Sequence, residues 1–228
     1  MISQRIILAG GGNARQSQAV DNFFVNLLSN NNFLFVPQAI SPQMWPYEKT
    51  LRWIQKPKAF GKVKITMLKD FEQLSLEYLM TFDAVYLMGG NTYKLLKVLR
   101  DTDLEEFLPL YLKLGKLVYG LSAGAIVMGA HVKTAAVEPE KDENDVGIRD
   151  LSSLNLLNGA IVATHYVEEM DDELFGMGKQ GNRMILCIPE TSGIFVENNN
   201  CMVIGNDPVT IINCNEKYSL QKGSEFKI

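Results

Sequence analysis

Histidine and cysteine are scarce in this 228-residue chain, and that scarcity narrows its chemistry first. His131 and His165 are the only two histidines. A histidine-rich metal centre is therefore excluded, and no carboxylate spacing suited to replacing it is found; no metal and no cofactor are expected. Cys187, Cys201 and Cys214 form an odd set without CxxC spacing. That argues against a disulfide framework and a zinc site, and it fits a reducing compartment. Positive charge is not in excess: 22 basic side chains against 26 acidic ones give a net charge of -4, and the pI is near 5.3. The electrostatic footprint of a nucleic-acid binder is missing. Long apolar runs are absent too. Ile6 to Ala9 and Leu117 to Tyr119 are far too short for a bilayer, and the N-terminus lacks the hydrophobic region of a signal peptide. A cytoplasmic protein with neither nucleic acid nor membrane as partner is the expectation.

What is present is enough apolar material, 46% of the residues, for one buried interior. The length suits a single α/β domain over residues 1–228. Short β-rich runs alternate with longer amphipathic ones through the first two thirds, the pattern of a parallel sheet with helices on both faces. The spacing predicts strands over Arg5 to Ala9, Phe33 to Pro37, Val63 to Met67, Ala84 to Met88 and Leu117 to Gly120. It predicts helices over Gln16 to Leu28, Pro42 to Gln55 and Phe71 to Leu79, and one starting at Thr92. Glu138 to Asp145 is a dense polar run that reads as an exposed loop, with an acidic ligand-binding lid as the alternative. Strands follow over Gly159 to Thr164 and Met184 to Ile188, with a helix from Val167 to Phe175 between them. The tail reads as short strands, Ile194 to Glu197, Met202 to Ile204 and Val209 to Ile212, separated by turn residues. The fold class expected is a three-layer α/β sandwich with a mostly parallel sheet flanked by helices and C-terminal antiparallel hairpins.

Gly120-Leu121-Ser122-Ala123-Gly124 is a G-x-S-x-G lying between a buried strand and a small-residue helical start. A serine on such a strand-to-helix turn takes strained backbone angles, and its hydroxyl is lifted clear of the sheet. A helix starting behind it would aim free N–H groups and partial positive charge at a developing oxyanion. A serine nucleophile needs a base, and histidine is the usual one. His165 closes an apolar strand at its carboxyl end, the edge where ligands bind in open α/β sheets and where Ser122 also falls. His131 follows the elbow helix and more naturally points away. An imidazole base is best oriented by a carboxylate, and Glu190, at the end of the strand closed by Pro189, is the first candidate; Glu168, Glu169, Asp171 and Asp172, on a solvated helix, are the runners-up. The oxyanion donors expected are the N–H of Ala123 and the glycine turn Gly89-Gly90-Asn91-Thr92. Gly10 to Asn13 lacks the G-x-G-x-x-G spacing of a dinucleotide site and reads as a plain turn.

Three segments, GGNTYKLL at Gly89 to Leu96, YGLSAGA at Tyr119 to Ala125 and IPETSGIFVEN at Ile188 to Asn198, together resemble the dipeptidase E and cyanophycinase family of serine peptidases. That resemblance implies a sheet related to class I glutamine amidotransferases. It also implies a triad in the chain order Ser122, His165, Glu190, with Gly90 and Ala123 as the oxyanion hole and a short peptide, most simply a dipeptide, as substrate. Aspartyl dipeptidase members use basic groups to receive an acidic side chain. Lys179 and Arg183 are the bases offered here between His165 and Glu190, and Arg183, with Asn91 and Thr92, is a candidate substrate contact. The family aspartate that follows the nucleophile has no counterpart near Val137, and much of the helical stretch after the histidine is missing. The same triad would also serve an esterase or amidase, and a catalytically silent metabolite-binding protein would keep the pocket without the reaction. A homodimer is the base-rate expectation for a soluble enzyme.

Overall fold

Alternation of apolar side chains builds the centre of the molecule. The computed structural model describes residues 4–228 apart from residues 44, 57, 138, 140 and 215. A first set of strands runs in parallel: β1 (Arg5–Ala9), β2 (Asn32–Val36), β3 (Lys64–Met67), β4 (Ala84–Leu87) and β5 (Leu117–Leu121). Successive side chains of a strand face opposite ways. Ile6, Leu8, Val85, Leu87 and Val118 accordingly enter one core, and Ile7, Ala9, Tyr86, Tyr119 and Leu121 enter the other. Both faces must be covered, and helices do so: α1 (Gln18–Asn26) and α2 (Tyr47–Ile54) contribute Phe24 and Ile54 to the second core. The first core takes Leu79 from α3 (Leu76–Met80), Leu95, Leu96 and Leu99 from α4 (Thr92–Asp101), and Leu104, Leu108, Tyr111 and Leu112 from α5 (Leu104–Lys113).

The chain then passes through a one-turn helix, α6 (Ala123–Ile126), to β6 (Ile161–Thr164), α7 (Asp171–Gly181) and β7 (Met184–Ile188). Five strands close it: β8 (Ser192–Glu197), β9 (Asn200–Gly205), β10 (Val209–Asn213), β11 (Glu216–Leu220) and β12 (Glu225–Lys227). They divide between two sheets. The larger has the order β12-β9-β8-β1-β5-β4-β2-β3 and the smaller β11-β10-β7-β6. The expected sandwich of helices about a mostly parallel sheet is present, and the tail is antiparallel as expected. Its strands do more than cap the sheet, because β8 pairs antiparallel with β1 in the centre while β10 pairs antiparallel with β7 in a second layer. Local patterning gives strand identity but not partner, and these pairings are long-range. Among the described residues no helix is long and apolar enough to cross a membrane.

Several helices are shorter than their periodicity suggests. The segment expected as a helix over 71–79 becomes helical only from Leu76, where the Ser75 hydroxyl accepts the N–H of Tyr78 at 3.1 Å. The helix expected over 42–55 begins at Tyr47, after Pro46; Met44, within that expectation, lies outside the described residues. The helix expected over Val167 to Phe175 is longer instead: it starts as a 3-10 turn, Glu168–Met170, and continues past Phe175 to Gly181.

The two sheets meet along one edge. His165 donates its N–H to the Gly10 carbonyl at 2.9 Å, Gly10 donates to Ser192 at 3.0 Å, and Tyr166 donates to Ile188 at 3.2 Å. These bonds join the carboxyl-terminal ends of β1, β6 and β7 and the start of β8 at a common rim.

Candidate active site

Ser122 follows β5 directly and has φ 50°, ψ -112°, a left-handed conformation that costs an L-residue of this kind roughly 1–3 kcal/mol. The strain is held by close packing. A Cβ on Gly120 would lie 2.4 Å from the Gly124 carbonyl oxygen, so nothing larger than glycine lets the elbow fold over its own strand. The Ser122 N–H donates to Ala9 at 3.0 Å, and its carbonyl accepts the N–H groups of Ala125 and Ile126. α6 spans only Ala123–Ile126, so the helix expected behind the serine is a single turn and its dipole is correspondingly small. What remains for an oxyanion is local: the N–H of Ala123, which as a first helical residue has no acceptor within the helix.

His165 follows β6 and also has positive φ, 52°. Its ring bridges the other two groups. Nε2 lies 2.8 Å from Ser122 Oγ, and Nδ1 lies 3.0 Å from Glu190 Oε1. With Glu190 ionised, Nδ1 donates to the carboxylate and Nε2 accepts the serine hydroxyl, which is the tautomer this network assigns. The structure thus brings Ser122, His165 and Glu190 into one hydrogen-bonded chain. Two of the other acids considered are engaged elsewhere: Asp171 accepts the Tyr166 hydroxyl at 2.7 Å and pairs with Lys217 at 2.5 Å, and Glu168 also faces Lys217.

Two contributors to this geometry escape a reading of the sequence. The first is the Gly10 to Asn13 segment, which is the floor of the site rather than a plain turn. Gly11 has φ +119°, and a Cβ there would lie 2.2 Å from His165 Cε1; only a bare backbone leaves room for the ring. The second is Gln16, whose Nε2 donates to Glu190 Oε2 while its Oε1 accepts the Asn13 N–H at 2.9 Å. The run of glycines was the available signal, but nothing local ties it to residues 165 and 190.

Gly90, with φ +138°, lines the same cavity as Ser122 and His165. Its neighbours are otherwise occupied. The Asn91 side chain caps α4 by accepting the Lys94 N–H at 2.9 Å and donates to the Glu143 carbonyl at 2.8 Å. Thr92 is fully buried, and its N–H donates to Asp142 Oδ2 at 2.8 Å. Both residues, expected as substrate contacts, hold the acidic segment in place instead. Within that segment Glu138 and Glu140 lie outside the described residues. Asp142 is not part of a plain exposed loop, since it turns into the cavity beside Ser122.

Arg183, the third expected contact, is not brought to the site. It precedes β7, at the opposite end of that strand from Glu190, and donates to the Gly159 carbonyl at 2.9 Å. There it shares a cavity with His131 and Lys133. His131 is held below its ordinary pKa by burial and by those two cationic neighbours.

Ser122 and His165 stand between two cavities. One, of about 180 Å3, is lined by Gly90, Thr134, Asp142, Thr164 and Met170 among others; the second, of about 240 Å3, is lined by Gly11, Gly12, Ile40, Trp53, Met88 and Leu121. A serine activated by an oriented imidazole, with backbone donors on one side and a cavity on either side, is an arrangement suited to acyl transfer.

The model of peptidase family S51 matches residues 6–212. Over 148 residues the chain is 30% identical to a cyanophycinase of Geminocystis herdmanii (strain PCC 6308), covering 63% of this chain and 53% of that protein. Over 138 residues it is 28% identical to a peptidase E of Shewanella denitrificans, covering 59% and 54%. The matched stretch spans about half the length of each of these relatives. Among solved structures, a peptidase from an acI-B1 Actinobacterium superposes with a TM-score of 0.73 at 17% identity over 98% of this chain and 96% of that one, a likeness of fold.

Proposed function

This chain belongs to peptidase family S51, a family of serine-type peptidases, and from that membership we propose that it hydrolyses the peptide bond of dipeptides or other short peptides through an acyl-enzyme. Ser122 Oγ attacks the scissile carbonyl carbon while His165 Nε2 takes its proton. Glu190 steadies the imidazolium through Nδ1, and the N–H groups of Gly90 and Ala123 receive the oxyanion. Collapse breaks the C–N bond as His165 returns the proton to the leaving amine. Water, deprotonated by the same imidazole, then attacks the acyl carbon, and Ser122 leaves with its proton restored. The single observation that carries this reading is the unbroken chain from Ser122 Oγ through His165 to Glu190, at 2.8 and 3.0 Å.

An acidic preference on the acyl side loses its basis, because Arg183 faces a different cavity. Cys187, Cys201 and Cys214 are free thiols, which supports work in a reducing compartment such as the cytoplasm. The test is release of amino acids from a dipeptide panel by the protein and by Ser122→Ala. The variant is expected to lose at least about a thousandfold in kcat while keeping its melting temperature. Equal turnover by both proteins would overturn the assignment. So would failure of a fluorophosphonate to label Ser122 in the folded chain.

A further inference from the structure

At the opposite end of β7 from Glu190 lies a cavity of about 310 Å3 that the proposed reaction does not use. His131, Lys133 and Arg183 line it together with Met177, Gln180 and Gly181, and among the described residues no acid does. The chain as a whole carries a net charge of -4, so this gathering of bases runs against the average. Asp150, close along the segment that pairs with His131 through Ser152, is turned to Arg100 at 3.3 Å. Burial and then the charges of Lys133 and Arg183 hold the imidazole below its ordinary pKa. Each of the three groups nevertheless has a donor to offer. The Lys133 N–H donates to His131 Nδ1 at 3.3 Å, which places the proton of the neutral ring on Nε2. Arg183 commits Nη1 to the Gly159 carbonyl at 2.9 Å and has further N–H groups. Lys133 is exposed, and its ammonium is a mobile point charge.

Like charges gathered around a cavity repel, and an anion between them turns that repulsion into attraction. We propose that this cavity binds a phosphate group, with Lys133 and Arg183 meeting its charge and His131 Nε2 donating a hydrogen bond to it. At pH 7 a phosphate monoester carries about 1.5 to 2 negative charges and three acceptor oxygens, which matches two cations and an imidazole N–H. A carboxylate would leave one cation unmatched. Arginine and lysine are also the side chains that serve phosphate best, one as a planar fork and the other as a point charge. The volume falls at the small end of the range for small-molecule sites, about 300–1,000 Å3, and Met177 offers an apolar wall to a short organic group. The end of α7 at Gly181 opposes an anion through its dipole, but a half charge there is outweighed by two full ones. Its Gly178 carbonyl is moreover capped by the Arg183 N–H at 3.2 Å. None of these residues belongs to the triad, so the site stands apart from the peptidase reading. Two sources share this chemistry, the free phosphate ion and a phosphate ester.

With only two histidines in the chain, imidazole NMR resonances follow the site directly: His131 reports the cavity and His165 the triad, the two being assigned with His131→Asn. Inorganic phosphate, glycerol 1-phosphate, acetate and chloride are added to the whole chain at equal ionic strength. Phosphate is expected to raise the proton affinity of His131 about tenfold, as a nearby opposite charge does. At ten times its Kd it should also raise the melting temperature by about 3 °C, while acetate and chloride change neither. Lys133→Gln, at an exposed position, is expected to abolish both effects, and Arg183→Gln serves as a second variant should the first fold poorly. A stronger response to glycerol 1-phosphate assigns an ester as the ligand, and a stronger response to the free ion assigns inorganic phosphate. Equal responses to phosphate and acetate would be screening alone and would overturn the proposal. A response confined to His165, or one that survives both substitutions, overturns it as well.

Discussion

Glu190 is more than a third exposed along its side chain, and a carboxylate so placed has many rotamers open to it. Gln16 removes that freedom by holding Oε2 while His165 takes Oε1. It therefore acts as a positioning residue for the proposed triad, reaching the reacting atoms only through Glu190. Gln16→Ala is expected to lower kcat by about tenfold, the scale of losing one hydrogen bond to a charged group, with KM nearly unchanged. Steady-state kinetics on a cleaved dipeptide would check this, and a rise in KM at constant kcat would show that Gln16 meets the substrate instead. The convergence of Ser122, His165 and Glu190 was legible in the sequence because residue chemistry and strand-end position both marked them. Gln16 was not, since a lone glutamine after a glycine run carries no chemical signature of its own. Asn91 and Thr92 were misread for a related reason: a turn beside a site can serve the loop behind it as readily as the ligand before it.

At the scale of elements, α1 is tied to the centre of the larger sheet by a buried polar contact. Asp21, 1% exposed, accepts the Ser17 hydroxyl at 2.7 Å and the Tyr119 hydroxyl at 2.9 Å. Tyr119 stacks on Tyr86 with ring centroids 4.3 Å apart. Burial pushes the Asp21 carboxyl from 3.8 to about 6 against the lowering effect of those two hydrogen bonds. The native state thus keeps a proton that the unfolded chain gives up at lower pH. The group favours the fold fully below about pH 4, and that contribution declines as pH rises through about 6, by about 3 kcal/mol in all. Asp21→Asn cannot titrate, so urea midpoints measured between pH 4 and 7 should lose this downward component in the variant. An identical pH profile in both proteins would place the proton elsewhere. Periodicity located α1 but not this anchor, which depends on Tyr119 being about a hundred residues away in sequence and directly beneath the helix.

At the scale of the whole molecule, two sheets share the rim on which the site is built. The bond from His165 to Gly10 crosses from the smaller sheet to the larger, and Gly10 in turn bonds Ser192 within the larger, so the two layers are tied together at the rim. We expect residues 1–228 to unfold as one cooperative unit, with coincident urea transitions by tryptophan fluorescence and far-UV circular dichroism. Two separated transitions would mean that the layers fold independently. The sequence by itself determined the alternating strands and helices, the serine elbow, the histidine and glutamate proposed as its base and acid, and the family to which the chain is similar. Those features are local: side-chain period, turn chemistry and residue type are written in adjacent positions. Only the tertiary structure decided that β8 enters the central sheet, that Gly11 makes room for the imidazole, that Arg183 faces away and that Asp142 faces in. Each of these depends on which distant strand end lies alongside, and strand pairing is settled by burying two faces at once rather than by any one segment's pattern.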